Sequence, residues 1–145
     1  MAGIQEALRL FPPVPVGVPR VVPEPGKTIM GRYVAGGTRV SVHHYATYHS
    51  AANFNDPEDF VPERWLGEIE KYADDRREAC QAFAYGPRDC IGRNMGMHEM
   101  RLILAKVLFQ FDLELCENSK DWAAQRAFVL WEKKPLMCRV KGTGA

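Results

Sequence analysis

The sequence predicts a mixed α+β chain, on three observations. Apolar residues recur at helical spacing from Arg93 to Phe111, short β-branched runs broken by glycines lie between Lys27 and His43, and the prolines Pro12 to Pro19 divide a leading helix from those runs. With 145 residues, 46% of them hydrophobic and 26% charged, the chain is long enough for one modest domain and too short for two.

The leading helix is read from Ile4, Leu8 and Leu10-Phe11. No Ser, Thr, Asp or Asn cap precedes them, so the chain opens inside the helix. Pro12, Pro13, Pro15 and Pro19 end it and impose an extended strap, because proline lacks the N–H of a ladder and restricts the residue before it. Thr28-Ile29-Met30, Tyr33-Val34 and Thr38 to Val42 read as strands of one small antiparallel sheet, punctuated by Gly31 and Gly36-Gly37. Tyr45 to Tyr48 reads as a helical turn, and Asn53 to Trp65 as a meandering loop tied down by its aromatics. The charged run Glu68 to Glu78 reads as a solvated surface helix or flexible connector, without function.

From Arg93 onward, Met100, Ile103, Leu104, Val107, Leu108 and Phe111 predict an amphipathic helix ending near Phe109 to Phe111. Alternation at Phe111, Leu113 and Leu115 then predicts a strand. Ala127 to Trp131 and Leu136 to Val140 predict a hairpin turning at Lys133-Lys134-Pro135.

Several function classes are disfavoured. A net charge of +1 with interspersed signs gives no field that would steer nucleic acid or an anionic membrane. The first residues have no basic stretch followed by an apolar run, and no window approaches the ~20 apolar residues of a spanning helix, so the chain as written reads as soluble or peripheral. Cys80, Cys90, Cys116 and Cys138 form no C-x-x-C pair, against a zinc knuckle or disulfide scaffold and in favour of a reducing compartment. His43, His44 and His49 suggest a metal site, but adjacent histidines on a strand point to opposite faces and no acidic or thiol partner has ligand spacing.

The stretch Phe83-Ala84-Tyr85-Gly86-Pro87-Arg88-Asp89-Cys90-Ile91-Gly92 sets a cysteine between glycines, beside an arginine and just ahead of the long helix. A thiolate at a helix N-terminus is stabilised by the macrodipole and by unsatisfied backbone N–H groups. A lone cysteine is otherwise most often buried and inert. The segment resembles the cytochrome P-450 signature of phenylalanine, two residues, glycine, one, arginine, one, cysteine, one, glycine, and every fixed position matches. Glu6-Ala7-Leu8-Arg9 resembles the glutamate-x-x-arginine of that family's K helix, and Pro62-Glu63-Arg64-Trp65 its later proline-glutamate-arginine motif.

The resemblance, to the eukaryotic microsomal type, runs from Glu6 to about Val140. It implies one piece of a single domain. In order these are a K helix at 1–11, the strap and small sheet at 12–43, the meander at 44–82, the haem-thiolate loop at 83–92, an L helix at 93–111 and C-terminal strands at 112–145. Haem b (iron protoporphyrin IX) is the implied cofactor, with the Cys90 thiolate as catalytic axial ligand. Gly86 and Gly92 would let the backbone lie close to the flat macrocycle, Phe83 would keep water from the sulfur, and Arg88 would offer donors to a propionate. Arg20 aligns with a propionate-binding arginine, against the default of a surface arginine.

Glu6, Arg9 and Arg64 are the implied structural triad. Read without the resemblance, Glu6 and Arg9 are a surface helix pair. Phe128-Val129-Leu130 matches the family's last substrate-contacting segment and equally suits ordinary hairpin core. Gly96 stands where the family usually has alanine, and His49 where it often carries a structural histidine.

The implied activity is insertion of one atom of dioxygen into a small organic substrate, with electrons from an NADPH-dependent flavoprotein reductase. Nucleic acid is not an implied partner. Microsomal members sit at the endoplasmic reticulum membrane by an anchor that is not in this sequence, and the oxygen-activating helix is also missing from it. The expectation is therefore an incomplete chain, inactive alone and cytoplasmic or peripheral by itself. The alternatives are a non-catalytic haem-binding remnant and an incomplete gene model.

Overall fold

In the computed structural model, which describes residues 1–144, helix α1 spans Ala2–Leu10 and buries Glu6 and Arg9 rather than its apolar residues. Phe11 N–H still donates to Ala7 O at 2.9 Å, and the prolines that follow stop the helix there. The strap leads into Arg20–Val21 (β1), which pairs antiparallel with Arg39–Val40 (β4). Between them Gly26–Ile29 (β2) and Arg32–Ala35 (β3) form a hairpin whose central residues, Met30 and Gly31, have φ of 50° and 77°. Positive φ at both positions is the two-residue turn that matches strand twist. The one small sheet expected from the sequence is thus two separate two-stranded sheets, and β1 was not among the predicted strands.

The strand predicted over Thr38 to Val42 stops at Val40, because His44–Tyr48 forms a short helix, α2, with His43 as its cap. His43 and His44 therefore do not alternate across a strand. The meander closes through 3₁₀ turns at Pro62–Trp65, Glu70–Tyr72 and Arg77–Ala79. Among the described residues the buried apolar side chains are few, namely Pro12, Pro15, Val22, Tyr48, Phe54 and Tyr72, and Phe54 and Tyr72 lie against the buried Arg9 and Arg64. Tyr72 and Asp75 lie inside the charged run, which is neither a helix nor solvated throughout. Its carboxylate at 75 turns inward to an arginine that a local charge count does not reveal.

Helix α3 spans Arg93–Gln110. The expected amphipathic stripe is there, but Leu102, Ala105 and Phe109 fill the other faces and leave Arg101, Lys106 and the terminal Gln110 as the polar breaks after Met100. A helix apolar on every side suits burial on every side. Here Leu108 and Phe109 are 66% and 69% exposed. The chain passes directly into Phe111–Leu115 (β5), which pairs with Cys138–Gly142 (β6) in register from Phe111↔Gly142 to Leu115↔Cys138.

The predicted hairpin between 127–131 and 136–140 does not form. Trp131 Nε1 donates to Pro12 O at 2.7 Å, which ties the 127–131 run to the strap. The last strand then takes the full ladder that β5 offers. Ala127 and Trp131 close a single bridge instead.

Candidate functional site

Glu6 and Arg9, three apart on α1, meet side by side. Arg9 Nε donates to Glu6 Oε2 at 3.0 Å and Nη2 to Oε1 at 2.8 Å. Arg64, carried in by the Pro62–Trp65 turn, donates from Nε to the same Oε1 at 3.1 Å, and Trp65 Nε1 donates to Oε2 at 2.8 Å. The structure thus brings the three predicted residues together, all fully buried.

The cluster has a fourth charged member, Asp75, which the sequence reading assigned to solvent. Arg64 Nη1 pairs with Asp75 Oδ2, and Asp75 Oδ1 accepts the Asn55 N–H at 2.7 Å. Two cations thereby face two anions. The remaining guanidinium donors go to backbone carbonyls: Arg9 to Tyr48, Pro57 and Asp59, and Arg64 to Asn55 and Asp56. Phe54 lies beneath both arginines. Buried ion pairs are tolerated when their remaining valences are satisfied in this way. Burial pushes the Glu6 carboxyl up, but hydrogen bonds from Arg9, the Val61 N–H and Trp65 outweigh it and hold the carboxyl below its ordinary range.

Phe83 connects this cluster to the cysteine loop. It is half-buried and shares a small cavity of about 100 Å³ with Leu8, Trp65, Cys80 and Met97. An ideal Cβ on Gly96 of α3 would sit 3.9 Å from its ring. Phe83 O accepts the Cys90 N–H at 2.9 Å and Gly86 O accepts the Asp89 N–H at 3.0 Å, so the loop is closed by its own backbone. Ala84 and Gly86 take φ of 62° and 90°, and nothing lies within 4 Å of a Cβ built on Gly86. Glycine at 86 therefore answers a conformational need, and Ala84 holds strain of the kind found at functional loops.

Gly92 caps α3, which places Cys90 just outside the helix N-terminus, with its carbonyl accepting the Arg93 N–H at 3.1 Å. Cys90 is exposed and lines an open hollow of about 770 Å³ with Gln5, Ile91, Arg93, Met97 and His98. Arg20 Nη2 reaches the Arg88 carbonyl at 3.3 Å, so two guanidinium-bearing residues meet beside the loop. An accessible sulfur, with Arg93 lining the same hollow and the Arg20 guanidinium on the loop backbone, suits a metal held in an anionic organic ring better than a bare ion.

Phe128, Val129 and Leu130 stand out as an exposed turn and do not form hairpin core. His49 bonds Glu58 Oε2 at 2.9 Å and Leu10 O at 3.0 Å, contacts that serve the fold. A cavity of about 1180 Å³, walled by Phe11, Tyr45, Trp122 and Trp131, does not reach the cysteine loop.

Residues 1–139 match the family model described as Cytochrome P450. The chain is similar to the cytochrome P450 monooxygenase astJ of Aspergillus oryzae, at 52% identity over 139 residues, a match covering 94% of this chain and 28% of that protein. It is also similar to the trichothecene C-4 hydroxylase of Trichoderma arundinaceum, at 48% over 146 residues, covering 97% and 29%. Among solved structures it superimposes on retinoic acid-bound cyanobacterial CYP120A1 with a TM-score of 0.82 and 26% identity, covering 97% of this chain and 32% of that one. The chain therefore spans less than a third of the length of these relatives.

Proposed function

Because the chain belongs to the cytochrome P450 family, we propose that it supplies the cysteine side of a haem-thiolate monooxygenase, in which the Cys90 thiolate would hold the iron of haem b. The observation that carries this reading is the accessible Cys90 thiol, held just outside the N-terminus of α3 on a loop closed by the Phe83 carbonyl. When bound, the haem activates dioxygen so that one atom enters an organic substrate, with electrons from an NADPH-dependent flavoprotein reductase.

The chain's own residues hold and shield. The positive end of α3 and its free N–H groups stabilise negative charge on the Cys90 sulfur. Arg88 and Arg20 offer donors to the propionates, and the left-handed backbone at Gly86 keeps side chains out of the space above the loop. Phe83 excludes water on the α3 side. The Glu6–Arg9–Arg64–Asp75 cluster is structural, fixing the meander that delivers Phe83 and the loop behind it. The exposed Phe128-Val129-Leu130 turn is a candidate substrate contact. By family likeness the working enzyme resides at the endoplasmic reticulum membrane. Among the described residues no helix is long and apolar enough to cross one.

The test is the ferrous carbon monoxide spectrum of the haem-loaded gene product. The red-shifted band of a thiolate ligand is expected in the wild type and is expected to vanish in Cys90→Ser. A band that persists in Cys90→Ser removes the proposal.

A further inference from the structure

Met30, at the tip of the β2–β3 hairpin, is 96% exposed, more than any other large apolar side chain among the described residues outside the cysteine loop. It also holds φ of 50°, in the left-handed region. Asparagine, aspartate or glycine is the ordinary occupant of that position in a two-residue turn. Methionine is therefore disfavoured there twice, by its backbone and by the water around its side chain. Backbone strain of this kind clusters where a function uses the residue.

The residues behind the tip follow one pattern. Ile29 pairs with Arg32 and Lys27 with Val34, which puts both cations on the face that carries Ile29. Tyr33 stands on the opposite face, with its ring exposed and its hydroxyl donating to Pro25 O at 2.8 Å. No aspartate or glutamate occurs from Pro25 to Asn55, whereas Lys27, Arg32 and Arg39 fall in that stretch. None of these three has an ion-pair partner among the described residues. The chain as a whole carries only +1, so the positive charge is local to the hairpin and the strand after it.

An apolar tip, an exposed tyrosine ring and cations just behind them are the composition of a segment that lies at a lipid–water boundary. A protein partner fits less well, because a stable interface takes about 800 Å² from each side, more than a two-residue turn offers. We infer that the β2–β3 hairpin dips into an anionic phospholipid surface. Met30 and Ile29 enter the apolar edge of the bilayer, Tyr33 lies at headgroup level, and Lys27 and Arg32 bury their stems while their charged ends meet lipid phosphates. The inference rests on the membrane residence proposed above and goes further: it names the surface of this chain that touches lipid, which an anchor elsewhere does not require.

The test is hydrogen exchange of the backbone over 27–34 in the haem-loaded gene product. It is measured alone, with phosphatidylcholine vesicles, and with vesicles of equal parts phosphatidylcholine and phosphatidylserine. The variants are Met30→Asn, Met30→Leu and the pair Lys27→Gln with Arg32→Gln. Asparagine suits the left-handed turn better than methionine, so Met30→Asn keeps the hairpin while removing its apolar tip.

In the wild type, exchange over 27–34 slows with the mixed vesicles and less with phosphatidylcholine alone. The slowing shrinks tenfold or more in Met30→Asn, as the loss of one buried apolar side chain requires, and is kept in Met30→Leu. It shrinks about fivefold for each cation removed, and the double variant no longer distinguishes the two lipids. Exchange that neither vesicle slows in the wild type overturns the inference, as does equal slowing in wild type and Met30→Asn. A hairpin covered instead by other protein also overturns it, and shows as protection without vesicles together with a lower urea midpoint in Met30→Asn. Failure of the membrane residence itself is read separately, as gene product in the soluble fraction of lysed cells.

Discussion

Arg64 and Asp75 form a fully buried ion pair between two turns of the meander, and the same guanidinium also reaches Glu6 on α1. One side chain thereby joins three segments that are distant in sequence. Its second anion lies in a stretch whose composition reads as solvated surface.

Removing one member of such a cluster strands the opposite charge in the interior, at a cost of roughly 3–5 kcal/mol. Asp75→Ala should therefore destabilise about as much as Glu6→Ala, and far more than Asp74→Ala, its exposed neighbour. Urea unfolding of the three variants gives the comparison. An Asp75→Ala loss no larger than that of Asp74→Ala would show the pair to be idle.

The cluster also predicts an acid limb of stability. The Glu6 carboxyl is held below its ordinary value of 4.5 in the folded chain, so the folded state favours the ionised form. Its contribution is complete above the unfolded value and is lost as pH falls through the lower folded value. The urea midpoint of the wild type should drop below about pH 4.5, and that drop should be shallower in Glu6→Gln, whose midpoint is already lower at neutral pH.

Gly96 has room for a methyl group. The added Cβ would make an ordinary 3.9 Å contact with Phe83, and a glycine within a helix costs roughly 0.5–1 kcal/mol relative to alanine. Gly96→Ala should raise stability by about that amount while leaving the ferrous carbon monoxide band in place. A broken or shifted band would mean that the helix needs the glycine to approach the cofactor.

The four cysteines should differ sharply toward iodoacetamide. Burial pushes the Cys80 thiol up to about 12, so it stays protonated and unreactive at pH 8 until the protein is unfolded. Cys90 is exposed, and Cys116 and Cys138 are half-buried. Peptide mass mapping of the haem-loaded protein before and after haem removal should show Cys90 labelled first, and only after removal. Early labelling of Cys80 would contradict its packing between α1 and the cysteine loop.

Much of this was legible in the residues because it depends on local chemistry. The proline cluster stops α1 by removing donors wherever it lies, Gly31 marks the break between two strands although Met30, read as strand, belongs to the turn, and the spacing from Phe83 to Gly92 needs no partner to be recognised. Glu6 and Arg9 were visible as neighbours on one helix face for the same reason.

Asp75 was not, because a carboxylate in a charged run looks the same whether it meets water or a buried guanidinium 11 residues away. The β5–β6 pairing was also missed. Two local runs suggested a hairpin, whereas the Trp131 indole holds one run to the strap and leaves Cys138–Gly142 to pair with β5. His44 read as a strand residue and became a helical one, its ring brought by the fold against that of Tyr48. The sequence by itself determined where helices and turns begin and which loop presents the thiol, since those follow from neighbours along the chain. The tertiary structure alone decided which charges share an interior and which strands pair, because burial and long-range pairing depend on segments that only folding brings together.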